Sequence, residues 1–312
     1  SAASKSAVED GPSTGQDAGT AAAWEMCELN LYGCKSLERI GPLATSQQSI
    51  DVSYCSSLTS LSELKFTSGL QELRAENCSA LQELPSLTQV RSLNVSRCKQ
   101  LEEIGFDTLS SLQELTLTGC AKLMELPQQM GNLLILDAAD CNTLWSSMDV
   151  WQQSLPNLEY LNVSECFLYG NALDLIHTFA PKLRTLVMAG CGGFSMPEKL
   201  ELTSLHSLSM DRCDVGTVAD LTACKRTLRY ISAQGCALTS MPDLSVGAGF
   251  AASDTFFIEF GYHSNPWLNE WTSGTRPGDD DRAEERKRRA WSEAKSIAAK
   301  QEASQSEAVA EF

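Results

Sequence analysis

The sequence predicts an α/β solenoid, a curved array of about ten repeats with a parallel sheet on the concave side. Two observations carry this: a ruler of cysteines, and an alternation of apolar side chains in front of each one. Ten cysteines lie at 34, 55, 78, 98, 120, 141, 166, 191, 213 and 236, at intervals of 20 to 25 residues, and self-similarity at such a period marks a stacked repeat architecture. Five residues before each cysteine stands Leu29, Ile50, Leu73, Leu93, Leu115, Leu136, Leu161, Leu186, Leu208 or Ile231. Three residues before it stands Leu31, Val52, Ala75, Val95, Leu117, Ala138, Val163, Met188, Met210 or Ala233. Period-two alternation over so short a run is a strand with its apolar face inward. No unit can bury that face alone, so the units must stack and their strands must form one sheet.

After the cysteine, apolar residues return three and six positions on, as in Leu58 and Leu61 or Leu123 and Leu126, and Pro85, Pro127, Pro197 and Pro242 end several copies. Proline and short spacing predict turns or short 3₁₀ segments on the convex side. Two longer intervals interrupt the pattern. The second holds Asn171 to Ala180 before Pro181, where Leu173, Ile176 and Ala180 fit one helical face, so an occasional convex helix is expected there. Residues 1–23 are rich in Ala, Ser, Gly and Thr and read as a flexible tail. The predicted organisation is a tail over 1–23, a solenoid over 24–245, an aromatic segment over 246–275 and a charged C-terminal helix or tail over 276–312.

Composition narrows the partners. The net charge is −16, from 24 basic and 40 acidic residues, which disfavours a phosphate backbone or an anionic membrane. No apolar run approaches the roughly 20 residues that span a bilayer, and the N-terminus lacks the charged-then-apolar order of a signal peptide. The chain begins at Ser1 and not at Met, which leaves room for a removed targeting segment.

The run Leu112-Gln-Glu-Leu-Thr-Leu-Thr-Gly-Cys120, followed by Leu123, Leu126 and Pro127, resembles the leucine-rich-repeat superfamily. It is most similar to the repeats at the C-terminal end of plant intracellular immune receptors, and such repeats also occur in intracellular adaptors. The resemblance covers roughly residues 24 to 245. It implies a ligand-binding concave sheet, usually for protein.

Chemistry finds little purchase. At the ruler position a small buried thiol fills the bend after the strand and donates weakly to backbone groups. Equivalent thiols on adjacent strands run parallel and do not converge as a disulfide requires, so many unpaired thiols point to a reducing compartment, cytoplasmic or organellar. The pairs Cys27 with Cys34 and Cys213 with Cys224 lack zinc-ligand spacing. His177, His206 and His263 have no evident nucleophile beside them, and no phosphate loop, nucleophile elbow or zinc-protease helix is present. A non-enzyme without cofactor, metal or small-molecule substrate is expected.

Function must lie in what the repeat leaves free. Residues six, four and two before each cysteine point outward by strand alternation; with the residue just before the cysteine they include nine acids and three bases. Tyrosines and arginines, favoured interface anchors, are interleaved with those acids. The concave candidates are Tyr32, Tyr54, Arg74, Glu76, Arg97, Asp137, Tyr160, Asn162, Asp211 and Tyr230.

The aromatic segment contributes Phe256, Phe257, Trp267 and Trp271, as a cap on the open solenoid end or as a partner anchor. The terminal helix contributes Trp291 and Ile297, which could dock on a partner subunit. The sequence therefore predicts a non-catalytic scaffold, a structural subunit of a larger protein assembly. The alternative is a recognition receptor or adaptor that reads its ligand on the concave face.

Overall fold

The computed structural model describes residues 27–43, 45–105, 109–127, 129–240 and 257–259. Its strands are β1 (Glu28–Asn30), β2 (Ser49–Asp51), β3 (Glu72–Arg74), β4 (Glu83–Leu84), β5 (Ser92–Asn94), β6 (Glu103–Ile104), β7 (Glu114–Thr116), β8 (Ile135–Asp137), β9 (Tyr160–Asn162), β10 (Thr185–Val187), β11 (Ser207–Ser209), β12 (Tyr230–Ser232) and β13 (Phe257–Glu259). All but β4 and β6 form one 11-stranded sheet in sequence order, and every pairing is parallel. The register follows the cysteine ruler: Leu29 pairs with Ile50, Ile50 with Leu73 and Leu186 with Leu208. These residues point inward, where from the second repeat on they join the ruler cysteines and the apolar residues three before them in one continuous core, with Leu58, Leu81, Leu101, Leu123 and Leu144 from three residues after.

β13 lies beyond the expected solenoid boundary at residue 245. Phe257 pairs with Tyr230 and Ile258 with Ile231, so the 246–275 segment supplies one more strand to the sheet. Phe256, Trp267, Trp271, Trp291, Ile297, the N-terminal tail and the expected C-terminal helix lie outside the described residues.

The convex side is more varied than a run of turns. It holds 3₁₀ segments at Ser62–Phe66 and Thr222–Cys224. β4 and β6 pair there in parallel as a second, two-stranded sheet. The expected helix is present as α3 (Ala172–Phe179), with Ala172, Leu173, Ile176 and Phe179 buried. Two further short helices, which the sequence pattern did not reveal, fill the first long interval. In chain order all three are α1 (Asn142–Trp145), α2 (Met148–Trp151) and α3.

The ruler thiols form a ladder. Each donates to the carbonyl three residues before the ruler cysteine of the preceding repeat, as in Cys78 Sγ to Val52 O (3.1 Å), Cys120 to Val95 (3.1 Å) and Cys213 to Met188 (3.0 Å). Equivalent bonds run from Cys55, Cys98, Cys141, Cys166, Cys191 and Cys236. These carbonyls would otherwise be buried acceptors with a free lone pair, so the thiol satisfies them without the bulk of an amide. Cys34 departs from the expectation of a buried thiol and is exposed, because among the described residues no repeat precedes the first one for it to pack against.

Close stacking makes Gly105 critical. A Cβ on Gly105 would lie 2.8 Å from the backbone carbon of Pro85 and 2.9 Å from the backbone nitrogen of Ser86. Backbone cannot rotate aside as a side chain can, so Gly105→Ala should lower stability by about 1–3 kcal/mol. Urea unfolding measures this; an unchanged midpoint would show that the two repeats can separate freely.

Candidate interaction surface

Just before each ruler cysteine the backbone must turn sharply out of the strand. At Cys34, Cys55, Cys98, Cys120, Cys191 and Cys213 the cysteine N–H bonds the carbonyl three residues back, at 2.9 Å for Cys120 to Leu117 and 3.2 Å for Cys98 to Val95. Such a turn requires a positive φ at its third residue when built as type II. All ten residues at this position have it: Gly33, Gly119, Gly190 and Gly235, with Asn77, Tyr54, Arg97, Asp140, Glu165 and Arg212.

Glycine takes this conformation without strain and Asn or Asp tolerate it. Tyr54 (φ 63°), Arg97 (61°), Glu165 (58°) and Arg212 (58°) are held there at a cost of about 1–2 kcal/mol each. Their N–H groups are fixed by the next repeat: Tyr54 to Glu76 O (2.7 Å), Arg97 to Thr118 O (2.7 Å), Glu165 to Ala189 O (2.8 Å) and Arg212 to Gln234 O (2.7 Å). The sheet thus continues into a rigid rim that carries large polar side chains.

The N-terminal end of this rim gathers four of the concave candidates. Tyr32 and Tyr54 stack with centroids 5.1 Å apart and planes tilted by 46°. The Tyr54 hydroxyl donates to Glu76 Oε1 (3.2 Å), and Arg97 lies 3.8 Å from the same oxygen. The Glu76 carboxylate pushes the Tyr54 phenol above its ordinary range, first by its charge and then by accepting its hydrogen bond. Tyr32 is 59% exposed and the Arg97 side chain 61%. Arg74 is also exposed and pairs with Glu72 at 2.6 Å.

Other candidates serve the strands. Asp137 accepts from the Ala139 N–H (3.3 Å), the Thr118 hydroxyl (2.8 Å) and the Asn162 amide (3.0 Å). Asn162 in turn accepts from the Ser164 N–H (3.1 Å) and hydroxyl (2.7 Å) and is buried. Asn30, Asp51 and Asn94 make the same bond to the N–H two residues on, so this row closes strand ends as local Asx turns do. Asp211 accepts from the Ser232 hydroxyl and the Gln234 N–H.

Tyr160, expected to point out and to stand exposed, is only 2% exposed. It lies on the outer face, but there it joins Leu134, Ile135 and Val187 in a small apolar cluster separate from the core. Ile135 and Val187 at outward positions were the sequence signal for that patch. Tyr230 lies half-buried in β12, in register with Ser207 and Phe257.

The rim residues that sequence reasoning did not single out are Glu165 and Arg212. They pair at 2.6 Å across 47 residues, and between them sits Gly190, whose added Cβ would meet the Glu165 carboxylate at 2.6 Å.

The cysteines are tied to structure. Burial pushes Cys120, Cys166 and Cys213 up to about 12, and Cys224 and Cys236 to about 11, opposite to the lowered values of nucleophilic thiolates. His206 Nδ1 donates to Ser204 O (2.6 Å), and its Nε2 lies 3.4 Å from Arg184 Nη2. Among the described residues no group of three or more His, Cys, Asp or Glu could hold a metal ion, and no helix is long and apolar enough to cross a membrane.

No family model matches the chain. A probable disease resistance protein of Arabidopsis thaliana is 33% identical over 268 residues, covering 67% of this chain and 15% of that protein. Disease resistance protein RPS4B of the same organism is 27% identical over 214 residues, covering 60% of this chain and 18% of that protein. The chain therefore spans less than a fifth of the length of these relatives. Among solved structures, YopM from Yersinia enterocolitica is 18% identical with a TM-score of 0.40, covering 72% of this chain and 53% of that one. With its cysteine-closed repeats stacked into one parallel sheet and with these sequence relatives, the chain is a protein-interaction module of the leucine-rich-repeat superfamily.

Proposed function

We propose that this chain is the recognition part of a receptor or adaptor, reading a protein ligand reversibly on the outer face and rim of its sheet, and not a passive structural subunit. The observation that carries this reading is the rigid N-terminal rim, where Tyr32, Arg74 and Arg97 stand exposed on backbone fixed by the neighbouring repeat. A pre-ordered surface binds without the entropic cost of ordering loops. Similarity to proteins named for disease resistance supports recognition over scaffolding. A reducing compartment suits the chain, since none of its twelve cysteines is in a disulfide.

Size-exclusion chromatography of native extract separates the two readings. A reversible receptor elutes largely free or in a small species that shifts when ligand is added. Elution wholly within one stable, large complex, resistant to dilution, would instead establish the structural subunit.

A further inference from the structure

We propose that the N-terminal rim is a docking site for a basic segment, bearing Arg or Lys, of a protein partner, with the outer face of Tyr32 and the Glu76 carboxylate two repeats on as its separate receptors. This rests on the recognition reading above and names the chemistry that reading leaves open.

Tyr54 sits at a turn position where glycine would be free of strain, and glycine does occupy that position in the preceding repeat at Gly33. The ring is only half-buried, so core packing does not explain its presence. What the ring does is back Tyr32 at 5.1 Å and hand its hydroxyl to Glu76. Strain held at a rigid position is a pointer to function. The result is an aromatic face turned to solvent at Tyr32 and, two repeats on and beyond the Tyr54 ring, a carboxylate at Glu76, each a group that attracts a cation.

Charge selects the same occupant. Across the outer face of these first four repeats Glu28, Asp51, Glu72 and Glu76 outnumber Arg74 and Arg97. Arg74 is held by Glu72 at 2.6 Å, whereas Arg97 touches Glu76 only loosely at 3.8 Å. A carboxylate offers about four acceptor sites, and the hydroxyl and one distant guanidinium leave room for a further donor. An acidic segment would have to approach against this excess of carboxylates.

The test uses the full chain and synthetic 12-residue peptides in three sets: Arg- and Lys-bearing, acidic, and neutral, with binding followed by fluorescence anisotropy. The basic set is expected to bind in preference, and Tyr32→Ala, Tyr54→Gly and Glu76→Gln each to weaken it, by about tenfold for the ring changes. Tyr54→Gly is also expected to keep or raise the melting temperature, because it removes the strained conformation. Arg212→Gly relieves the same strain at the far end of the rim and should leave peptide binding unchanged.

Preference for acidic peptides, or equal binding of basic peptides by folded Tyr54→Gly, would overturn the proposal. So would a lowered melting temperature in Tyr54→Gly, which would make Tyr54 a structural residue. If a purified partner binds wild type and Tyr54→Gly alike, the recognition reading stands and this site falls. If the chain elutes only as a fixed subunit, the recognition reading falls first.

Discussion

Raising the pH from 8 to about 10.5 should unfold this protein cooperatively, well below the pH at which an ordinary acidic repeat array with few buried thiols would fail. Burial raises the thiols of Cys120, Cys141, Cys166, Cys191, Cys213, Cys224 and Cys236 above their ordinary value of 9.0, and desolvation of the thiolate is the first cause at each. In the unfolded chain these thiols ionise near 9.0; in the folded chain the lowest wait until about 11. Stability from a folded value raised above the unfolded one is complete below 9.0 and drains away as pH rises toward the folded value, because only the unfolded state releases protons in that window.

Each such thiol contributes a slope on the order of 1 kcal/mol per pH unit. Several acting together exceed the whole stability of a typical domain, about 5–15 kcal/mol, within one or two pH units. Urea titrations at intervals between pH 8 and 10.5 measure the slope directly. Cys191→Ala with Cys213→Ala should reduce it by about two thiols' share, even if the variant is less stable at pH 7. A free energy of unfolding that stays flat from pH 8.5 to 10 would rule out the buried ladder as the source of alkaline sensitivity.

The same ladder explains why so much of the fold was legible. A cysteine that must bond the turn of the preceding repeat has one allowed place in each repeat, and the inward residues five and three before it inherit that place. Counting back from Cys55, Cys78 or Cys213 therefore gives strand position and register together, as in the pairing of Ile50 with Leu73.

The left-handed rim was half visible. Gly33, Gly119, Gly190 and Gly235, each one residue before a ruler cysteine, mark a position needing positive φ, but Tyr54, Arg97, Glu165 and Arg212 in the same column concealed it. The role of Asp137 and Asn162 was hidden for another reason. Alternation says which face a residue occupies, not whether its side chain turns back to close its own strand, and both turn back. For Tyr160, alternation gave the face correctly, while its burial depends on Ile135 and Val187 in flanking strands. The N-terminal quartet of Tyr32, Tyr54, Glu76 and Arg97 was named from residue type alone. Its contacts come from columns one and two residues before the cysteine in successive repeats, which stacking brings side by side.

Least legible of all was the aromatic trio in the two long repeats, and it supports the second large effect: Trp151→Ala should cost about 3–5 kcal/mol of stability. Trp145, Trp151 and Phe179 are fully buried. Trp151 lies 5.1 Å from Trp145 and 5.3 Å from Phe179, centroid to centroid. The indole N–H groups are bonded, Trp145 to Ala138 O at 2.9 Å and Trp151 to Trp145 O at 3.2 Å. Both intervals that flank this site are 25 residues long, so the convex layer here is wider than the turns elsewhere, and α1, α2 and α3 with these rings fill the added volume. Truncation leaves a cavity that the short helices cannot close without breaking the bond from Leu155 N–H to Phe179 O at 2.7 Å. Each repeat contacts only its neighbours, so the weakened junction should also divide unfolding. Guanidinium titration followed by circular dichroism should show two transitions in Trp151→Ala where the parent shows one, and a single transition displaced by less than about 1 kcal/mol would mean that the rings merely occupy space between repeats already held by the sheet.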